Sequence, residues 1–159
     1  MSLLSRRSFL CVPLVLGACG FQPVYGTGGA GGSLQNNVDV SEPDGVDAYV
    51  VTRRLEERLG RGDTPQYRLN VSVRTEREAL ARDTDANINC FNLIGQADYV
   101  LVEQDTGRIV TSGRVDNFTG SSATGTTLAT LAAERDARER LMTLLADQIV
   151  ARLLSTDLT

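Results

Sequence analysis

The chain has 159 residues, 42% hydrophobic and 23% charged, with a formal net charge of −4. That composition is ordinary for one soluble globular domain, and the acidic balance weighs against nucleic acid as the main partner. Histidine, tryptophan and lysine are absent, so all 16 basic residues are arginine. With them go the commonest general acid/base and metal ligand, Schiff-base chemistry and a phosphate-loop lysine. The sequence therefore leans away from catalysis, and no cofactor or metal is expected.

The first segment has the layout of an export signal. Arg6 and Arg7 form a positive start, Phe9 to Leu16 a short apolar run, and Gly17 and Ala18 the small residues favoured at a cleavage point. The run is too short for a bilayer core, which needs about 20 residues. Leu16-Gly17-Ala18-Cys19 resembles the lipobox of bacterial lipoproteins. That resemblance implies cleavage after residue 18, acylation of Cys19, and membrane attachment through N-terminal acyl chains. Ser5-Arg6-Arg7-Ser8-Phe9-Leu10 is similar to a twin-arginine export motif, while paired arginines also occur in ordinary Sec signals; both routes stay open. Without residues 1–18 the chain has 141 residues, and losing Arg6 and Arg7 takes the net charge from −4 to −6. Cys11 leaves with the leader and Cys19 would be acylated. Cys90 then lacks a disulfide partner and is expected as a small buried hydrophobe on a strand.

Residues 19–33 read as a lipidated N-terminus and tether, because Thr27 to Ser33 ("TGGAGGS") has the composition of a flexible coil. Residues 34–159 read as one domain. Leu34, Val38 and Val40 share one parity and suggest a strand, ended by Glu42-Pro43-Asp44-Gly45. From Val46 to Leu59 the period turns helical, with Val51, Leu55 and Leu59 four apart, Val50 beside them, and Gly60 suited to the C-terminal cap. Tyr67, Leu69, Val71 and Val73 alternate with polar residues as a half-buried strand does. Ile88 to Gln104 holds another strand or two, and Asp105-Thr106-Gly107 turns the chain into a strand from Ile109 to Phe118. Ser121 to Gly125 reads as a polar loop.

The last element is a helix from about Thr127 to Leu154. Ala133, Ala137, Leu141, Leu145, Ile149 and Leu153 fall at four-residue steps, with Leu144 filling the stripe. This stripe is expected to pack on the domain's own sheet. Glu134–Arg138 and Asp136–Arg140 place acid before base at i,i+4, worth a few tenths of a kcal/mol each. The predicted fold is α+β, order β-α-β-β-β-α: two helices on one face of a mostly antiparallel, mixed sheet of about four strands.

Three stretches carry a family resemblance. Cys19 to Gly26 ("CGFQPVYG") resembles the mature start of the LptE-type lipopolysaccharide-assembly lipoproteins in their alphaproteobacterial form. Leu131 to Leu153 resembles that family's C-terminal helix, and Tyr99 to Val115 fits its middle strands. The resemblance implies an outer-membrane lipoprotein without catalytic activity. It would plug and help assemble the LptD-type β-barrel that inserts lipopolysaccharide into the outer leaflet, and bind lipopolysaccharide itself. Gly20 after the acylated cysteine differs from the aspartate of an inner-membrane retention signal.

Phosphorylated lipid heads call for arginine forks. Arg74 and Arg77 at the end of the alternating strand, with Arg108 and Arg114 on the hairpin, are the candidates. Two rivals follow from the same sequence. One is an auxiliary lipoprotein of an ABC-type lipid transport system. The other is an anchored enzyme using carboxylates such as Asp83 and Asp85, whose spacing in "RDTDAN" lacks the glycine and terminal glutamate of an EF-hand.

Overall fold

The computed structural model describes residues 30–82, 88–122 and 126–156. The elements run α1 (Ala30–Leu34), β1 (Val38–Val40), α2 (Gly45–Leu59), β2 (Tyr67–Arg82), β3 (Ile88–Glu103), β4 (Ile109–Ser122) and α3 (Thr127–Leu154). The four strands form one sheet in the order β1-β2-β3-β4. β1 pairs with β2 in parallel across the α2 crossover, and the other pairs are antiparallel. The expected α+β order stands, with the single turn of α1 added in front.

The long hairpins follow from alternation. Odd-numbered residues of β2 and β3 point to the helices, and Leu69, Phe91, Leu93, Ala97, Tyr99 and Leu101 are buried there. Even-numbered residues point to the opposite face, which is helix-free among the described residues. β3 is one unbroken strand of 16 residues, so Ile88 to Gln104 needs no second strand. Val102 pairs with Ile109, leaving a register shift after Leu101 at the start of β4.

Both helices form as the periodicity predicts. α2 buries Val51, Leu55 and Leu59, and its C-cap Gly60 has φ +76°. A side chain at Gly60 would run into the Asn36 amide, so the residue serves both the left-handed backbone and the close approach. The Thr126 side chain accepts from the Ala129 N–H at 3.3 Å to cap α3. α3 buries Ala137, Leu141, Leu145, Ile149 and Leu153, which confirms that its stripe packs on the domain itself. Leu144 departs from that expectation at 42% exposed, because it lies on the side of the row away from the sheet and α2. Met142, Ala146 and Val150 complete the buried side instead.

Three further expectations change. Leu34 ends α1 rather than opening a strand, and it is fully buried; the coil composition of the tether yields to this anchor from Ala30 onward. Cys90 lies on β3 as expected but is exposed. Ser121 and Ser122, read as loop, extend β4, and Ser121 is buried.

Gly95 lets α3 approach the sheet. A Cβ there would lie 2.9 Å from Leu145 Cδ1 and 3.1 Å from Leu141 Cδ2. The molecule thus has two ends. α1, the C-terminus of α2 and the β3–β4 turn share one: the Asn36 N–H donates to the Leu59 carbonyl at 2.7 Å, and Gln104 N–H to the Gln66 carbonyl at 2.8 Å. The strand ends around Arg82, Cys90 and Ser122, with the start of α3, form the other.

Candidate functional site

The four arginines singled out in the sequence do not converge. Arg74 and Arg114 stand on the helix-free face, on strands flanking β3, where Arg74 faces Gln96 and Arg114 faces Asp98. Arg77 lies on the helix side and Arg108 beside the β3–β4 turn.

Their surroundings differ as much as their positions. Arg114 grips Asp98 as a fork, Nε to Oδ1 at 2.6 Å and Nη2 to Oδ2 at 3.2 Å. This hydrogen bond, the largest influence, together with the charges of Arg114 and Arg74 holds the Asp98 carboxyl below its ordinary value despite the opposing effect of burial. Arg108 donates to Glu103 Oε2 at 3.4 Å, beside the Thr106 hydroxyl, which donates to the same oxygen at 2.6 Å. That hydroxyl is the first cause of a lowered Glu103. Arg77 pairs with Glu134 at 3.6 Å and stacks 3.9 Å above the ring of the buried Phe91. Arg74 is exposed, and among the described residues it has no ion pair within 4 Å.

Arg77 belongs to a polar chain that the sequence did not disclose. Asp47, in the first turn of α2, accepts from the Thr75 hydroxyl at 2.7 Å and from Arg138 Nη1 at 2.9 Å. Arg138 reaches Glu134 at 3.8 Å, and Glu134 reaches Arg77. The chain links sheet and both helices where α2 begins. The i,i+4 spacing of Glu134 and Arg138 was legible, but Asp47 and Thr75 come from distant positions with no local signal. Further along, Arg54 forks onto Asp147 at 3.1 and 3.2 Å and tightens the contact between α2 and α3.

The helix-free face is only partly polar. Asp98, Arg114, Arg74, Asp116, Glu76 and Glu78 share it with half-buried Ile94, Val100 and Val102. Phe118, opposite Ile94, is 62% exposed there. Near the start of α3, Leu128 is 78% exposed.

Cys19, Asp83 and Asp85 lie outside the described residues. Among the described residues no group of histidine, cysteine, aspartate and glutamate side chains is placed to hold a metal ion, and no helix is long and apolar enough to cross a membrane.

Comparison with known proteins places the fold. The sequence model of a family described as lipopolysaccharide-assembly, LptE, matches residues 36–153, from just before β1 almost to the end of α3. No curated protein matches the chain. Three solved structures share the fold. A candidate lipoprotein from Caulobacter crescentus CB15 is 23% identical with a TM-score of 0.66, over 79% of this chain and 93% of that one. The rare lipoprotein B of Shewanella oneidensis is 16% identical with a TM-score of 0.59, over 76% and 94%. A lipoprotein B of Nitrosomonas europaea is 13% identical with a TM-score of 0.55, over 86% and 91%.

Proposed function

We propose that this chain, which belongs to the LptE lipopolysaccharide-assembly family, is an outer-membrane lipoprotein held at the periplasmic face by acyl chains on Cys19. It seats in an LptD-type β-barrel, helps that barrel assemble, and assists lipopolysaccharide insertion into the outer leaflet. The observation that carries this reading is the family match, which spans nearly the whole folded domain, behind a lipobox at Cys19.

The physical features agree. A plug must present a compact body with polar surface to a water-filled lumen, and the charges on the open sheet face, though interrupted by Ile94 and Phe118, supply part of such a surface. No step of the role requires a nucleophile or a metal, so we read the chain as a binding and assembly protein rather than an enzyme. For lipopolysaccharide contact, Arg74 is the favoured arginine, since among the described residues its guanidinium has no carboxylate within 4 Å. Arg77, Arg108 and Arg114 would have to exchange Glu134, Glu103 and Asp98 for a phosphate, which lowers their gain.

A pull-down of C-terminally tagged full-length protein from gently solubilised envelopes, read by mass spectrometry, tests the reading. A stoichiometric lipopolysaccharide-inserting barrel should be recovered, and lost or mislocalised in Cys19→Ala. Recovery of an inner-membrane ABC transporter instead would overturn it.

A further inference from the structure

We propose that the open sheet face carries a docking site, centred on Phe118, for an arginine side chain of the barrel wall. The inference rests on the assembly reading above for its partner, and adds where and by what chemistry that partner is held. Phe118 is 62% exposed and stands opposite half-buried Ile94. Glu76 faces Ile94 from β2, Glu78 faces Asn92, and Asp116 is the neighbouring residue of β4 on the same face. Glu78, Asn92, Ile94, Asp116 and Phe118 line an open cavity of about 430 Å³. The Phe118 N–H is held by Asn117 Oδ1 at 2.8 Å, so the site offers a partner side chains rather than a strand edge.

Charge selects the occupant. Glu76, Glu78 and Asp116 are exposed, and among the described residues none of them has an ion pair within 4 Å. The arginines of the same face do not fill the place: Arg114 is committed to Asp98, and Gln96 separates Asp116 from Arg74. Three carboxylates around an apolar ring repel a phosphate and attract a cation, so this part of the face is unsuited to the lipid heads that Arg74 would take. A guanidinium both stacks on a ring and forks onto carboxylates, whereas an ammonium is a strongly hydrated point charge. The fitting cation is therefore arginine.

The same combination is already built once within the molecule. On the helix side Arg77 lies 3.9 Å above the Phe91 ring and pairs with Glu134 at 3.6 Å. The Phe118 site repeats the ring and the carboxylates without the arginine, which the partner supplies. Its apolar centre of Ile94 and Phe118 inside a charged rim has the layout of an interface hot spot. A polar barrel lumen is a wall that can present such a side chain.

Two measurements separate the site from its partner. In the first, a blocked Gly-Arg-Gly peptide and its citrulline counterpart are titrated into the full-length protein. NMR follows the Phe118 ring and the Glu76, Glu78 and Asp116 carboxyls. The arginine peptide should shift these signals together, and either citrulline or the variant Phe118→Ala should weaken binding at least about threefold. An equal response to citrulline, or equal shifts at the remote Asp105 carboxyl, would overturn the site. In the second, barrel recovery from envelopes is compared among variants that far-UV circular dichroism shows to be folded. Phe118→Ala should lower recovery at least about fivefold and Asp116→Asn should lower it too, while Phe118→Tyr retains it. Undiminished recovery with Phe118→Ala would overturn the barrel as occupant. A wild-type protein that binds the arginine peptide but recovers no barrel would overturn the assembly reading and leave the arginine site standing.

Discussion

Asp98 and Arg114 show how one cross-strand pair fixes both a register and a titration. The fork between them is exposed, so its effect falls on protonation more than on folding. Because Asp98 has its pKa lowered in the fold, whatever it adds to stability is present above the ordinary carboxylate range, near pH 4. That contribution is lost as pH falls through the lowered value. Arg114→Ala should raise the Asp98 midpoint toward the ordinary range, read from its carboxyl carbon by NMR titration; an unmoved midpoint would mean that another group holds it. Arg74→Ala should reduce lipopolysaccharide retention on the full-length protein more than Arg108→Ala does, measured by binding of labelled lipopolysaccharide. The arginines were legible as chemistry but not as places. Alternation assigns Arg74 and Arg77 to opposite faces of one strand, yet only the fold brings Glu134 and Phe91 to Arg77 and sets the Arg74 charge near Asp98.

At the scale of elements, periodicity was a sound guide wherever one face is buried. It located α2 and α3 and the alternating half of β2, since each has a wet and a dry side to distinguish. It misplaced Leu144, which is not on the four-residue row: the buried face widens from that row toward Met142, Ala146 and Val150, and Leu144 lies on the row's other side. Neighbouring residues on α3 test that difference. Leu145→Ala removes a fully buried side chain packed beside Gly95 and should cost about 3 kcal/mol in urea unfolding. Leu144→Ala should stay within about 0.5 kcal/mol, and equal losses would contradict the packing. Gly95→Val should cost about 2 kcal/mol by forcing Leu141 and Leu145 aside. The glycine itself sat unmarked in the sequence, because a close helix approach has no local signature. Cys90 failed in the other direction: its apolar neighbours suggested burial, but its even parity on β3 puts it on the helix-free face.

For the molecule as a whole, the order of elements was readable and the third dimension was not. The sequence predicted two helices on one side, and the structure adds how they are joined, by Arg54 on Asp147 and by Asp47 with Arg138. These are contacts between residues more than 90 positions apart, beyond any local pattern. That the second face of the sheet carries no helix among the described residues is likewise a tertiary fact. Its mixture of charge with Ile94 and Phe118 suits a body that meets other protein walls on several sides.

The burial of Leu34 has a mechanical consequence. A pull applied to the chain ahead of Ala30 enters the fold at Leu34 and at the Asn36 and Asn37 hydrogen bonds to Leu59, Gln66 and Tyr67. Behind these stand the three-residue ladder of β1 on β2, the Ser41 hydrogen bonds to Leu69 and Val71, and the Arg68–Asp39 pair. If Cys19 is the membrane anchor, as proposed, tension on it would reach α1 and β1 before the long β2–β3–β4 hairpins and α3.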